Sequence, residues 1–233
     1  MITAERRSVK PRKKLPPLEN GDHLDQKTFH ERYEAMGPDV RAELIGGVVF
    51  MSSPQKEPHG DHERWLARWM DEYLEKTPGT NGYLNTTQKM GPGAEPQPDG
   101  CLLILPEYGG QTWKDRKNYL NGAPEWVGEI SDSTESIDLN WKKRDYEEAG
   151  VREYMVAALR IQKVYWFQRG RGKFRELPLD PDGIFRSEVF PGLWLDPSAF
   201  LRRDRKRLLA VLRRGLASPE HAAFVAKLAE KKR

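Results

Sequence analysis

Apolar positions along the 233 residues change period several times, and each change marks an element. Trp65, Leu66, Trp69, Met70, Tyr73 and Leu74 recur at i, i+1, i+4, i+5, i+8 and i+9. That is one face of an amphipathic helix over 58–76, stopped by Thr77-Pro78-Gly79. Upstream, Phe29, Tyr33 and Met36 form a shorter stripe that ends before Pro38. Asp25 is its N-cap, with Leu24 and Phe29 at the spacing of a hydrophobic staple. Between these helices, residues 40–52 read as a hairpin: Glu43-Leu44-Ile45, a turn at Gly46-Gly47, then Val48 to Met51.

The middle of the chain alternates strands with one helix. Strands are predicted over 82–90, 101–105, 124–131 and 153–158, and a helix over 138–149 that Gly150 ends. Residues 106–123 read as a long polar loop; loops of that length are often functional lids. Residues 161–168 and 173–177 form a hairpin about Gly170-Arg171-Gly172, and the turn accounts for the glycines of this Arg-Gly-Arg-Gly stretch. A strand region over 185–195, broken by Pro191, precedes two helices at 203–215 and 219–231, the second with Ser218 as N-cap and Pro219 in first position. The class is α/β (α+β), with one domain at 22–200 and a basic C-terminal helical extension at 201–233.

Composition adds that the chain is globular but polar, at 37% hydrophobic and 32% charged residues. No apolar run approaches the roughly 20 residues of a membrane span, and no signal-peptide pattern follows Met1, so no membrane partner is expected and a cytoplasmic location is the default expectation. Cys101, the single cysteine, lies in an apolar run and reads as a buried thiol. The net charge of +4 is unevenly spread: residues 1–14 carry +5, 201–214 carry +6 and 215–233 carry +2, leaving −9 for 15–200. Residues 1–21, basic, proline-containing and without periodicity, read as a disordered tail. Basic ends on an acidic body suit a phosphate backbone only if those ends, or a bound metal, hold it.

The candidate chemistry lies in 98–146. Two strands each carry a carboxylate, Asp99 and Glu129, and the helix after them carries lysine; this suits a Mg²⁺-dependent site for cleaving phosphodiesters. Glu125, Val127, Glu129 and Ser131 share one strand face, and Asp138, Lys142 and Tyr146 line one side of the helix. Helical spacing leaves Lys142 and Lys143 both open. Glu43 could point into a cleft, but strand alternation alone favours solvent. Taken singly, Asp99 caps a turn equally well and Glu129 forms an ordinary ion pair with Lys142. His59 and His62, three apart, have the spacing of a shared zinc, but with no third ligand evident they read as a pair of polar histidines in the first turn of their helix.

Four phrases in order carry a resemblance: Glu43-Leu44-Ile45-Gly46-Gly47, Pro98-Asp99, Gly122 to Ser131, and Asp138-x3-Lys142-x3-Tyr146-x2-Ala149-Gly150-Val151. Over residues 24–200 the chain resembles a large bacterial family of restriction-endonuclease-like proteins, long catalogued as a domain of unknown function, within the PD-(D/E)XK nuclease superfamily. The resemblance implies a restriction-endonuclease-like core, a mixed curved sheet flanked by helices with a metal site at one edge. It implies Asp99 and Glu129 as metal carboxylates, the Ile130 backbone carbonyl as a further ligand, and Lys142 as the lysine. Ser131 stands where the simplest form of the motif has that lysine. Glu43 matches the acid of the family's first hairpin, which favours the cleft. The chain departs from the family pattern at Gly46 and Glu125, where aspartate is usual, and at Ser133, where proline is frequent.

The function so implied is a Mg²⁺- or Mn²⁺-dependent endonuclease hydrolysing DNA, with catalytic Asp99, Glu129, Lys142 and Glu43. A homodimer, whose paired sites cut two strands, is the superfamily's expectation. The alternative is a catalytically silent module of the same fold that binds nucleic acid or protein.

Overall fold

Leu66, Trp69, Met70 and Tyr73, the stripe of the longest helix, are all buried against the face of a six-stranded sheet. The structure is a computed structural model that describes residues 15–51 and 54–232. In chain order it has α1 (Gln26–Glu34), β1 (Ala42–Ile45), β2 (Val48–Met51), α2 (Glu57–Leu74), β3 (Thr80–Tyr83), β4 (Gln88–Lys89) and β5 (Gly100–Ile104). Next come β6 (Trp113–Lys114), β7 (Leu120–Asn121), β8 (Trp126–Ser131), then a wide π-helical turn (Ile137–Lys142) running into α3 (Lys143–Ala149). The chain continues as β9 (Glu153–Ala158), β10 (Lys163–Gly170), β11 (Lys173–Glu176), β12 (Phe185–Arg186) and β13 (Trp194–Leu195). Helices α4 (Pro197–Leu201), α5 (Arg205–Leu216) and α6 (Pro219–Lys231) complete it.

The main sheet has the order β11-β10-β9-β8-β5-β3. Only β8 and β9 are parallel, as expected for strands joined through the α3 crossover; the other neighbours are antiparallel. Alternation on β8 sorts its side chains to two faces. Trp126 and Ile130 join α2 and the C-terminal helices, while Val127 joins Tyr146 of α3. Three buried tryptophans, Trp69, Trp126 and Trp166, meet with ring centroids 5.7 to 6.4 Å apart. Large aromatic rings of this kind supply much of a core's buried apolar area. Gly128 leaves room for one of them, since a Cβ there would lie 2.4 Å from the Trp126 ring. Cys101 is buried, and its thiol is pushed up to about 12 by that burial.

Four local readings change. Residues 82–90 are not one strand: the chain leaves β3 at Tyr83 and re-enters as β4, with Asn85 at φ +50 between them. Residues 106–123 are not structureless, because β6 and β7 pair with each other and β7 pairs with β4, a non-local partner with no periodicity to reveal it. A short helix, α4, precedes α5. The last part of the tail is not free: Leu18 is buried beside Phe29 and Val49, and the Gly21 N–H donates to the Val49 carbonyl at 2.8 Å. Residues 1–14 of that tail lie outside the described residues.

The basic run at 201–214 is largely turned to structural use. Arg213 pairs with Glu72 of α2, Arg207 with Asp196 at 2.9 Å, and Arg205 stacks over Trp65 at 4.5 Å. Leu208, Leu212 and Leu228 join the core behind them.

Candidate active site

Sheet register brings the first two acids together. Gly100 on β5 pairs with Gly128 on β8, so the antiparallel ladder sets Asp99 opposite Glu129. The ladder ends there, and side chains take over. Asp99 Oδ2 accepts the Ile130 N–H at 2.6 Å, and Glu129 Oε2 accepts the Asp99 N–H at 3.5 Å. The Ser131 carbonyl accepts from Leu159 on the β9 side. Successive strand residues alternate the direction of their backbone polar groups, so the Ile130 carbonyl faces the Asp99 side, on the wall of a cleft of about 510 Å³.

The lysine comes from the wide turn before α3. Asp138, at its start, is buried and accepts from Ser131 Oγ and from Thr134 Oγ1 at 2.6 Å. Lys142, at its end, points into the cleft: its Nζ lies 3.1 Å from Glu129 Oε1, 3.0 Å from Glu43 Oε1 and 3.9 Å from Asp138 Oδ1. Lys143 leaves in another direction, its ammonium 3.9 Å from the centroid of the Phe167 ring. The ambiguity that helical spacing leaves is therefore resolved by direction.

Glu43 reaches the same cluster from the first hairpin. The turn Gly46-Gly47 has φ of +58 and +77, the left-handed pair that a two-residue hairpin loop needs. The Asp145 carboxylate of α3 accepts the Gly46 N–H at 2.6 Å and anchors this turn. Burial pushes the Asp145 carboxyl up to about 6. Glu43 Oε1 also accepts the Gln97 N–H at 2.6 Å, so its carboxylate faces the cleft, not open solvent.

Three carboxylates, Glu43, Glu129 and Asp138, thus lie within 3.9 Å of one ammonium, and a fourth, Asp99, adds its charge from beside Glu129. Burial pulls the Lys142 ammonium down, but attraction from Glu129, Glu43 and the other acids outweighs it and holds the lysine protonated. Glu129 is raised well above the usual carboxylate range, by burial first and by its acidic neighbours, against the pull of Lys142. The Tyr146 hydroxyl donates to Glu129 Oε1 at 2.6 Å, fixing the carboxylate from the helix side. Arg41 and Lys56 stand exposed at the rim of the cleft.

Among the described residues no three His, Cys, Asp or Glu side chains gather as a ready-made metal cage. Two carboxylates, a backbone carbonyl and an excess of negative charge are nonetheless a hard-oxygen donor set. It fits the manner in which Mg²⁺ is usually held, through one or two carboxylates with waters and substrate phosphates completing the shell.

The two histidines part company. His62 is buried, with Nδ1 2.7 Å from the Pro58 carbonyl and Nε2 3.3 Å from that of Leu201, so both its nitrogens are taken up by the fold. His59 lines the cleft, its Nε2 3.4 Å from Asp99 Oδ2. Burial lowers the His59 imidazole, but the Asp99 carboxylate, joined by Glu63 and Asp132, more than compensates and holds it above its ordinary value. Residue spacing gives no sign that His59 meets Asp99. The roles of Asp138 and Tyr146 are partly visible in their four-residue spacing from Lys142. Glu125 stays out of the cleft; it accepts the N–H groups of Ile104 at 2.8 Å and Gln111 at 3.2 Å and holds the segment after β5.

The crystal structure of a putative nuclease belonging to DUF820 from Anabaena variabilis ATCC 29413 superposes with a TM-score of 0.54 at 13% identity, covering 73% of this chain and 97% of that one. At that identity the likeness speaks for the fold, a nuclease fold with a mixed sheet between helices. No curated protein matches the chain. The family model Uma2, described as putative restriction endonuclease, matches residues 27–198, which contain every residue of the cleft cluster described above. The chain belongs to that family of nuclease-like proteins.

Proposed function

We propose that the protein is a Mg²⁺- or Mn²⁺-dependent endonuclease that hydrolyses DNA phosphodiester bonds. The observation that carries this reading is the pairing of Asp99 with Glu129 beside an ammonium, Lys142, that is 3.1 Å from Glu129 and lies on the wall of an open cleft. Asp99, Glu129 and the Ile130 carbonyl would hold the cation. When bound, the ion supplies positive charge that offsets the scissile phosphate and acidifies water. Lys142, kept protonated, orients the attacking water and stabilises negative charge as it develops on the phosphate. Glu43 fixes the lysine's position from the opposite wall. Arg41 and Lys56 meet the DNA backbone at the rim, where phosphate contacts position a duplex without reading its sequence.

The test uses purified wild-type protein and Asp99→Asn with supercoiled plasmid, in Mn²⁺, Mg²⁺ or EDTA. Nicking that needs metal and vanishes in the variant is the expected result; undiminished nicking by Asp99→Asn overturns it. The acidic body favours a second reading, a silent module that binds nucleic acid or protein. That reading predicts no nicking and no Mn²⁺ binding dependent on Asp99.

A further inference from the structure

His59 stands in the first turn of α2, with its side chain 13% exposed and its ring on the wall of the cleft. Its two nitrogens have different surroundings. Nε2 lies 3.4 Å from Asp99 Oδ2. Two donors on neighbouring corners of one cation, each bonded at about 2.1 Å, stand roughly 3 Å apart, so the pair has nearly the separation of co-ligands. Nδ1 is buried without a hydrogen-bond partner. The carboxylate nearest to it in the ion-pair geometry is Glu63, whose Oε2 is 3.9 Å away and whose Oε1 accepts from Asn85 Nδ2. A carboxylate behind an imidazole, with the other nitrogen facing outward, is the arrangement that metal-binding histidines use to fix their tautomer. In the tautomer that carries its proton on Nδ1, on the Glu63 side, the Nε2 lone pair is free to meet a cation beside Asp99.

We infer that His59 Nε2 is a further ligand of the cation held by Asp99 and Glu129, and that this nitrogen donor gives the site a preference for Mn²⁺ over Mg²⁺. The inference rests on the metal site proposed above. Its selectivity follows from ligand type: imidazole suits transition metals, whereas Mg²⁺ favours carboxylate, carbonyl and water oxygens. An ordinary ion pair between His59 and Asp99 makes the opposite prediction, because removing the imidazole would then free Asp99 for either metal.

The experiment compares wild type, His59→Gln and Asp99→Asn at neutral pH, with folding monitored by circular dichroism. Mn²⁺ binding is read from the electron paramagnetic resonance signal of the free ion, and Mg²⁺ by competition. Hyperfine coupling between Mn²⁺ and nitrogen is recorded on the bound form. His59→Gln should weaken Mn²⁺ by at least about tenfold, change Mg²⁺ by less than about threefold and abolish the nitrogen coupling. Equal loss of both metals, unchanged Mn²⁺ affinity, or nitrogen coupling that persists in His59→Gln would overturn the inference while leaving the site standing. Wild-type binding of both metals by Asp99→Asn would overturn the site itself.

Discussion

Lys142 Nζ lies 3.0 Å from Glu43 Oε1, which ties the turn before α3 to the first hairpin across the cleft. The same ammonium touches Glu129, so a single charge keeps three elements in register. Breaking a buried pair by removing one partner is costly, because the charge left behind has no compensation.

Lys142→Met should therefore lower stability by about 3–5 kcal/mol as well as abolish cleavage. Urea denaturation of the two proteins at neutral pH measures it. A loss under about 1 kcal/mol would show that the surrounding acids accommodate one another without the lysine.

Glu125→Ala separates structure from chemistry. It leaves the N–H groups of Ile104 and Gln111 without their acceptor, at about 1–3 kcal/mol for each buried donor left unsatisfied. Thermal unfolding should shift downward while Mn²⁺ affinity stays at the wild-type value. A matching loss of metal affinity would place Glu125 in the site after all.

Glu153 gives a pH signature. It is fully buried and accepts from Ser187 Oγ, the Glu188 and Val189 N–H groups and Trp166 Nε1, yet burial still pushes its carboxyl up to about 6. A carboxyl raised on folding binds its proton more tightly in the native state. Its contribution is therefore fully present below the unfolded value near 4.5 and is lost as pH rises through about 6. Wild type should lose about 2 kcal/mol more than Glu153→Gln over that window, measured by denaturation at pH 4.5 and 7. Parallel profiles for the two proteins would refute the assignment.

Leu212→Ala asks whether the C-terminal helices share the core's cooperativity. Leu212 is wholly buried in the cluster that contains Trp69 and Trp126. The substitution should cost about 2–5 kcal/mol and shift one unfolding transition. Two separated transitions would mark α5 and α6 as an independent unit.

Elements made by local signals were legible in the sequence. The stripe of α2, the Asp25 cap and the left-handed glycines of the first hairpin each follow from neighbours a few residues apart. The juxtaposition of Asp99, Glu129 and Lys142 could be read only from ordered motifs, because it depends on the register of β5 against β8. Helical spacing left Lys142 and Lys143 both open and only the family spacing chose Lys142, because the direction in which each side chain leaves the helix is set by the surrounding fold. His59 stayed hidden for a related reason: α2 must first dock on the sheet before its first turn meets Asp99. The pairing of β4 with β7 joins residues more than thirty apart through strands of two residues, too short to show alternation. The basic run at 201–214 was plain as charge, but its acidic and aromatic partners lie far away in sequence.

The wide turn at Ile137–Lys142 carries a consequence for how this site can be gained or lost. A π turn takes up about one residue more than an α turn, so a chain one codon shorter between Asp138 and Lys142 spans the same stretch as an ordinary helix. Asp138, Lys142, Tyr146 and Gly150 would then all keep their places, because losing the extra residue leaves the turns on either side in phase. The site can thus lose a residue within this turn, whereas the same deletion between Lys142 and Tyr146 would swing the lysine about 100° out of the cleft and leave an inert site on the same scaffold.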